Sequence, residues 1–447
     1  MAEGVEVPEG WRRISIEKDV ILISGLRPKG GASEDEGVPS LGGEHITTDG
    51  RINFTDQNAK YIPEKFYKLM KKGIVKEYDI LMNKDGANTG KVAILKEKNF
   101  PKIVINEHLF IIRSRKYFEH KHLFYWLLSN FGQKQIKDKI TGSAQPGLSS
   151  KFTKNFFVLK PPLPEQRKIA KILETVDNAI ERTDTIIEKY KRIKQGLMQD
   201  LLTRGVVEND ELGVMNYELR DEKKHRFKDS PLGRIPEEWE VVEIYEICNI
   251  INGGTPKTEK TEYWNGDIPW LSVEDFNTGK RWVVSSTKYI TELGLKKSAT
   301  RLLRKGMLII SARGSVGVIA QLGRDMAFNQ TSYGLDSKDK SHITNDFLYY
   351  ALKHYINSFL SLAYGNVFDT ITRDTFKETK IPIPPLSEQH RIASILSQTD
   401  ETIEKEQKYK QKLEKIKQGL MEDLLTGKVK VNYELGVRSY ESEVVVR

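Results

Sequence analysis

The residues best suited to chemistry sit in four glycine-bearing loops. They are Asn83-Lys-Asp-Gly-Ala-Asn-Thr-Gly-Lys91, Thr141-Gly-Ser-Ala-Gln145, Ser311-Ala-Arg-Gly-Ser-Val-Gly317 and Tyr364-Gly-Asn-Val-Phe368. Asn, Gln, Arg and Lys can pair bidentately with adenine or guanine edges in a major groove. Lys, Ser, Thr and backbone N–H groups suit phosphates. The candidates for nucleic-acid contact are therefore Asn83, Lys84, Asn88, Thr89, Lys91, Ser143, Gln145, Ser311, Arg313, Ser315 and Asn366, together with Arg373 shortly after the last loop. The plainer alternative stays open, because any exposed loop is rich in these residue types.

Catalytic readings fare worse. Gly86-Ala-Asn-Thr-Gly-Lys-Val92 has three residues between its glycines where a phosphate-binding loop needs four, and Val92 replaces the Ser or Thr that would meet Mg²⁺. The prolines at 161–162 and 384–385 follow Lys160 and Ile383 and precede Leu. No acid or amide is placed there to hold the target amine of an amino-methyltransferase. His120 and His122 form a His-x-His pair that no cysteine or acidic cluster completes, so they read as exposed residues of a helix start rather than metal ligands. Nuclease carboxylates leave too loose a pattern to decide.

Bulk properties narrow the class. The chain has 447 residues, a net charge of +9 and a pI of about 9.1, a balance that favours an anionic partner such as nucleic acid. The one cysteine, Cys248, allows no internal disulfide and no cysteine zinc site, which suits a reducing, cytoplasmic setting. The first residues lack the pattern of a signal peptide, and no run of about 18 apolar residues spans a membrane.

What must position the loops is a duplication. Pro161-Pro-Leu-Pro-Glu-Gln-Arg-Lys-Ile-Ala-Lys-Ile-Leu173 recurs as Pro384-Pro-Leu-Ser-Glu-Gln-His-Arg-Ile-Ala-Ser-Ile-Leu396. Ile193-Lys-Gln-Gly-Leu-Met-Gln-Asp-Leu-Leu-Thr203 recurs as Ile416-Lys-Gln-Gly-Leu-Met-Glu-Asp-Leu-Leu-Thr426, and both pairs are 223 positions apart. Each half opens alike, Pro8-Glu-Gly-Trp11 against Pro236-Glu-Glu-Trp239. Between opening and helix the halves match only faintly, as in Asn106-Glu-His108 beside Asn329-Gln-Thr331.

The matched stretches 164–203 and 387–426 read as long helices. Apolar residues at steps of three and four (Ile169, Leu173, Val176, Ile180, Ile187, then Ile392, Leu396, Ile403, Leu413) draw a heptad seam. Thr183, Lys194, Glu406, Lys410 and Lys417 interrupt it, so the helices should pair with each other. Gly196 and Gly419 cost helix stability and suggest a close backbone approach or a fraying end. Glu165, Gln166, Glu388 and Gln389 read as exposed residues that dock a partner, with helix capping as the alternative. The diverged blocks, 8–160 and 236–383, read as mixed α/β domains with one amphipathic helix each, near 120–136 and 344–360.

This order of motifs resembles the specificity subunits of type I restriction-modification systems. The resemblance rests on the paired Pro-Pro-Leu-x-Glu-Gln starts, the paired Gln-Gly-Leu-Met-x-Asp-Leu-Leu-Thr ends and the Lys228-Asp-Ser-Pro-Leu-Gly…Pro236-Glu-Glu-Trp239 join, and it covers the whole chain. It implies an α+β architecture, with two mixed α/β target-recognition domains in pseudo-two-fold arrangement separated by an antiparallel pair of long α-helices, a coiled coil. The expected order is recognition domain 1–160, spacer helix 161–203, linker 204–235, recognition domain 236–383, spacer helix 384–427 and tail 428–447. It also implies double-stranded DNA, two modification (methyltransferase) subunits and ATP-dependent restriction subunits as partners, and no membrane. This chain would be non-catalytic and hold no cofactor, with S-adenosylmethionine, ATP and Mg²⁺ confined to the partner subunits. A reader from another restriction class, a protein-binding coiled-coil scaffold and a self-contained enzyme are the rival readings.

Overall fold

The computed structural model describes residues 6–33, 36–96, 101–115, 118–142, 146–209, 216–357, 360 and 370–431. The chain divides into two compact units, Met1–Asp184 with Lys408–Arg447, and Thr185–Gln407.

The first unit is built on a four-stranded antiparallel sheet in the order Val20–Ser24, Leu109–Ser114, Ile80–Asn83, Val92–Ile94. Its central strands are apolar over Leu109–Ile112 and Ile80–Met82, because both faces are covered there. Ile80, Met82, Phe110 and Ile112 enter one core, shared with Leu123, Phe124 and Leu127 of the helix His120–Leu128. Leu81, Ala93, Leu109 and Ile111 enter another on the opposite face. That alternation is the period of two inherent to a strand. Strands Arg12–Ser15 and Phe157–Lys160 pair antiparallel, so the start of the block lies beside its end, next to the long helix.

The second unit repeats this plan. Cys248–Asn252, Ser332–Ser337, Leu308–Ser311 and Ile319–Leu322 follow one another in the same order, with Trp282–Val283 added parallel at the edge. Glu240–Glu243 pairs with Lys380–Ile383 as the first unit's ends do. Leu308 and Ile310 face the core that holds helix Asn345–His354, while Ile309 and Ala320 face the other. A shared close approach ties the two copies together. A Cβ on Gly25 would lie 1.9 Å from the Asn106 carbonyl oxygen, and one on Gly253 would lie 2.0 Å from that of Asn329. The duplication therefore extends through blocks whose sequences barely match.

The helices are Leu163–Thr203 and Leu386–Thr426, 41 residues each and so about 60 Å long. Gly205 and Gly427, both at positive φ, end them. In the first unit Lys417 pairs with Asp177 (2.6 Å) and Lys410 with Asp184 (2.6 Å), so one segment ascends as the other descends and the pairing is antiparallel. In the second unit Lys194 pairs with Asp400. The seam lysines are thus answered by aspartates of the facing helix, which explains the interruptions at Lys194, Lys410 and Lys417.

Two expectations need correction. Nothing lies within 4 Å of a Cβ built on Gly196 or Gly419, so no backbone approaches either, and both stand inside the helices rather than at fraying ends. The stretch 204–235 is more than a connection. It forms the hairpins Val206–Asn209 with Asn216–Leu219 and Phe227–Ser230 with Gly233–Pro236, and buries Arg220.

Candidate nucleic-acid interface

In each unit the two motifs shared by the halves meet. Trp11 Nε1 donates to Glu165 Oε2 at 3.1 Å, and Trp239 Nε1 donates to Glu388 Oε2 at 3.1 Å. Gln166 Oε1 accepts the Glu119 N–H and its Nε2 donates to the Pro161 carbonyl, both at 2.8 Å. Gln389 does the same with the Thr344 N–H (3.0 Å) and the Pro384 carbonyl (2.9 Å). Glu165, Gln166, Glu388 and Gln389, expected at the surface, are only 6, 1, 7 and 0% exposed. A buried carboxylate or amide must be hydrogen-bonded, and here the bonds fasten each α/β block to its helix start. Burial holds the Glu165 carboxyl above its ordinary range against the opposing Trp11 bond. Glu388 additionally receives the Val206 N–H at 2.7 Å and the Arg220 guanidinium.

A second matched joint lies further along. Tyr125 donates to Asp177 at 2.7 Å, and Tyr350 donates to Asp400 at 2.8 Å, each aspartate also holding the lysine of the facing helix. Burial, then the neighbouring aspartate, drives both phenols far above their ordinary range, so they remain donors.

With the blocks so anchored, each sheet presents one cluster of loops. In the first unit the Lys84 N–H donates to the His108 carbonyl (2.9 Å) and the Leu148 N–H donates to the Lys84 carbonyl (2.6 Å). In the second, the Ala312 N–H donates to the Thr331 carbonyl (2.8 Å) and the Ile371 N–H to the Ala312 carbonyl (3.1 Å). The same three segments are therefore strapped together twice: the sheet hairpin, the turn after Asn106 or Asn329, and the later segment at Leu148 or Ile371. Gly90 and Gly317 allow the hairpins to close, since a Cβ would meet Ile136 at 2.8 Å or Leu360 at 2.9 Å.

The sequence candidates distribute unevenly over these clusters. Arg313 and Ser315 are exposed at the tip of the second hairpin. Arg373 is exposed beside the strap and bonds the Ile250 carbonyl at 3.1 Å. Lys84, Asn88, Thr89 and Lys91 are half-buried in the first hairpin. Thr89 spends its hydroxyl on the Gly86 and Pro146 carbonyls, and Lys84 lies 5.6 Å from the Phe110 ring centre. Asn83 and Ser311 are not surface groups. Each is the last residue of a buried strand, 2% and 0% exposed, and Ser311 is bonded to Ser315 and Val318. Ser143, Gln145 and Asn366 lie outside the described residues.

Sequence reasoning missed Asp85 and His108, which join at 2.6 Å (Nδ1 to Oδ1) on the rim of a cavity of about 450 Å³ shared with Glu44 and Asn88. It also missed Gln330, which meets Thr255 at the matching turn. The repeat of Asn106-Glu-His108 as Asn329-Gln-Thr331 marks both turns, because each asparagine side chain accepts the N–H two residues on, at 3.0 and 3.2 Å.

On the helices, exposed apolar residues recur seven apart and 223 positions apart. Ile186 and Ile193 are exposed in the second unit, Tyr409 and Ile416 in the first. Among the described residues, no helix is long and apolar enough to cross a membrane.

Residues 9–192 and 236–415 each match the family described as the type I restriction modification DNA specificity domain. The chain belongs to that family. Its role is recognition of a DNA sequence in a type I restriction-modification system. Among similar specificity subunits, that of the type I restriction enzyme MjaVIII from Methanocaldococcus jannaschii is 30% identical over 440 residues, covering 96% of this chain and 95% of its own. The putative MjaX specificity subunit of the same organism is 30% identical over 443 residues. The fold is that of the S subunit from M. genitalium, with a TM-score of 0.59 at 17% identity over 95% of this chain and 98% of that one. A chain from a structure of type I system assembly gives 0.54 at 19% identity, over 95% and all of its length.

Proposed function

We propose that each unit reads one half of an asymmetric, split double-stranded DNA target through its strapped loop cluster. The observation that carries this is the repeated strap: identical backbone bonds hold the same three loops in both units while the residues displayed differ. A shared frame with different side chains suits two readers of different base sequences. Arg313, Ser315 and Arg373 are the second unit's contacts, and Lys84, Asn88, Lys91 and His108 the first unit's. Thr89 supports its loop instead. Lys and Arg around the clusters neutralise phosphates, which makes the binding salt-dependent.

Two modification subunits dock on the matched apolar pairs, Ile186 with Ile193 and Tyr409 with Ile416, rather than on the buried Glu165, Gln166, Glu388 and Gln389. Near-identical helices offer one surface twice, so two copies of one partner bind a chain whose DNA target is not a palindrome. Restriction subunits join through them. The chain itself is non-catalytic, takes no cofactor and works in the cytoplasm; S-adenosylmethionine, ATP and Mg²⁺ serve the partners.

Mapping modified adenines across the host genome with and without this gene tests the reading. A two-part motif with an unread spacer, present only with the gene, is expected. A continuous or palindromic motif would refute it.

A further inference from the structure

The second unit holds a cavity of about 760 Å³ between its helix segments and its α/β block, edged by Lys191, Arg192, Lys194, Lys280, Arg281 and Lys353. Among the described residues two carboxylates, Asp400 and Glu404, line it, and Lys191 turns to Glu188 at 2.8 Å. Asp400 is already shared by Lys194 and the Tyr350 hydroxyl, and Arg281 is held by Asp346. Among the described residues, Arg192, Lys280 and Lys353 have no carboxylate within ion-pair distance.

Lys353 is the telling member. It is half-buried, its ammonium reaches only the Tyr349 hydroxyl at 3.4 Å, and Lys194 stands nearby. Burial, then that like charge, hold it below its ordinary range against the weaker opposing pull of Asp400. Such an arrangement costs free energy unless an anion compensates it.

The fold does not demand this charge. The corresponding cavity of the first unit, about 550 Å³, has the same frame: Asp177 for Asp400, Lys417 for Lys194, Ile180 for Ile403 and Met421 for Met198. Yet Glu414 stands where the second unit has Lys191, and Leu128 where it has Lys353. There four carboxylates (Asp49, Asp177, Glu414, Glu422) face Arg51 and Lys417.

We propose that the second unit's cavity is a phosphate-binding site, formed by Arg192, Lys280 and Lys353. A guanidinium fork and two mobile ammonium groups suit tetrahedral phosphate oxygens. The phosphate comes from either a DNA backbone or a free polyphosphate. This assignment does not rest on the reading of the loop clusters.

The test uses the full chain, with sodium tripolyphosphate as probe in calorimetry, and the variant Lys280→Ala/Lys353→Met. Unliganded melting checks that the variant folds. Glu414→Lys, which adds a cation to the first unit's acidic cavity, is the second variant. Tripolyphosphate affinity should fall at least tenfold in the double variant and stay or rise in Glu414→Lys. Binding of a random-sequence duplex across a salt series distinguishes the sources. If the site holds DNA phosphate, the slope of log K against log salt shrinks by about one for each phosphate no longer neutralised. If it holds a free polyphosphate, the slope is unchanged while tripolyphosphate binding is lost. Equal tripolyphosphate affinity in the double variant and the unaltered chain overturns the proposal, whatever the DNA does, and leaves the cavity's charge to a protein partner.

Discussion

The two units fasten an α/β block to a long helix with the same joints, but load them differently. In the second unit the Trp239–Glu388 joint also neutralises Arg220, a guanidinium only 4% exposed. In the first, Glu165 meets Trp11 and the Val431 N–H, with Lys430 as the nearby charge and no guanidinium beside it among the described residues. The block helices differ too. Phe347 of the second unit stands where the first has His122, expected exposed at a helix start but in fact a fully buried ring whose nitrogens both lack hydrogen-bond partners among the described residues. The comparison teaches that duplication has kept the polar bonds that define the joint. What has drifted is the charge stored around it.

The sharpest way to break the comparison is to remove both glutamates in turn. Glu388→Ala strands the buried Arg220 charge and should destabilise the second unit by about 3–5 kcal/mol. Glu165→Ala removes the Trp11 and Val431 hydrogen bonds without stranding a buried guanidinium among the described residues, about 1–2 kcal/mol in the first unit. Hydrogen exchange followed peptide by peptide reads the two units separately; equal losses would mean that Arg220 does not set the difference.

Acid should separate the units next. Burial pushes the His122 ring down to about 3. Above the unfolded value of about 6.5 the ring is neutral in both states, so no proton uptake opposes folding. Below it the unfolded chain binds a proton that the folded chain refuses. Stability then falls by about 1.4 kcal/mol per pH unit until about pH 3, or about 2 kcal/mol by pH 5. Exchange at pH 7.5 and 5.0 should show that loss in the first unit, and His122→Phe should remove it. A variant with an undiminished acid slope would place the sensitivity elsewhere.

The smallest effect is on the helices. Gly419→Ala meets open space and should stabilise by about 0.5–1 kcal/mol in thermal melting. A loss instead would reveal a hidden constraint at that glycine.

Much of the fold was legible because the helix and strand periods differ. Seam residues such as Leu173 and Leu396 located both helices to within a residue. The joints were misread. Matched polar residues at a helix start look the same whether they face solvent or a buried indole, and Trp11 lies 154 positions from Glu165. Asn83 and Ser311 were misread because they close buried strands, where a loop composition begins one residue later. Arg220 was hidden because hairpins as polar as those of 204–235 carry no apolar alternation. Asp85 and His108 meet only through folding, 23 positions apart.

The central claim is that each unit reads its own half of the target. Replacing residues 8–160 with the corresponding block of a related specificity subunit, then mapping modified adenines in cells that carry the chimaera, tests it most directly. One half of the methylated motif should change, with the other half and the spacer intact. A motif altered in both halves, or in neither, would contradict the account.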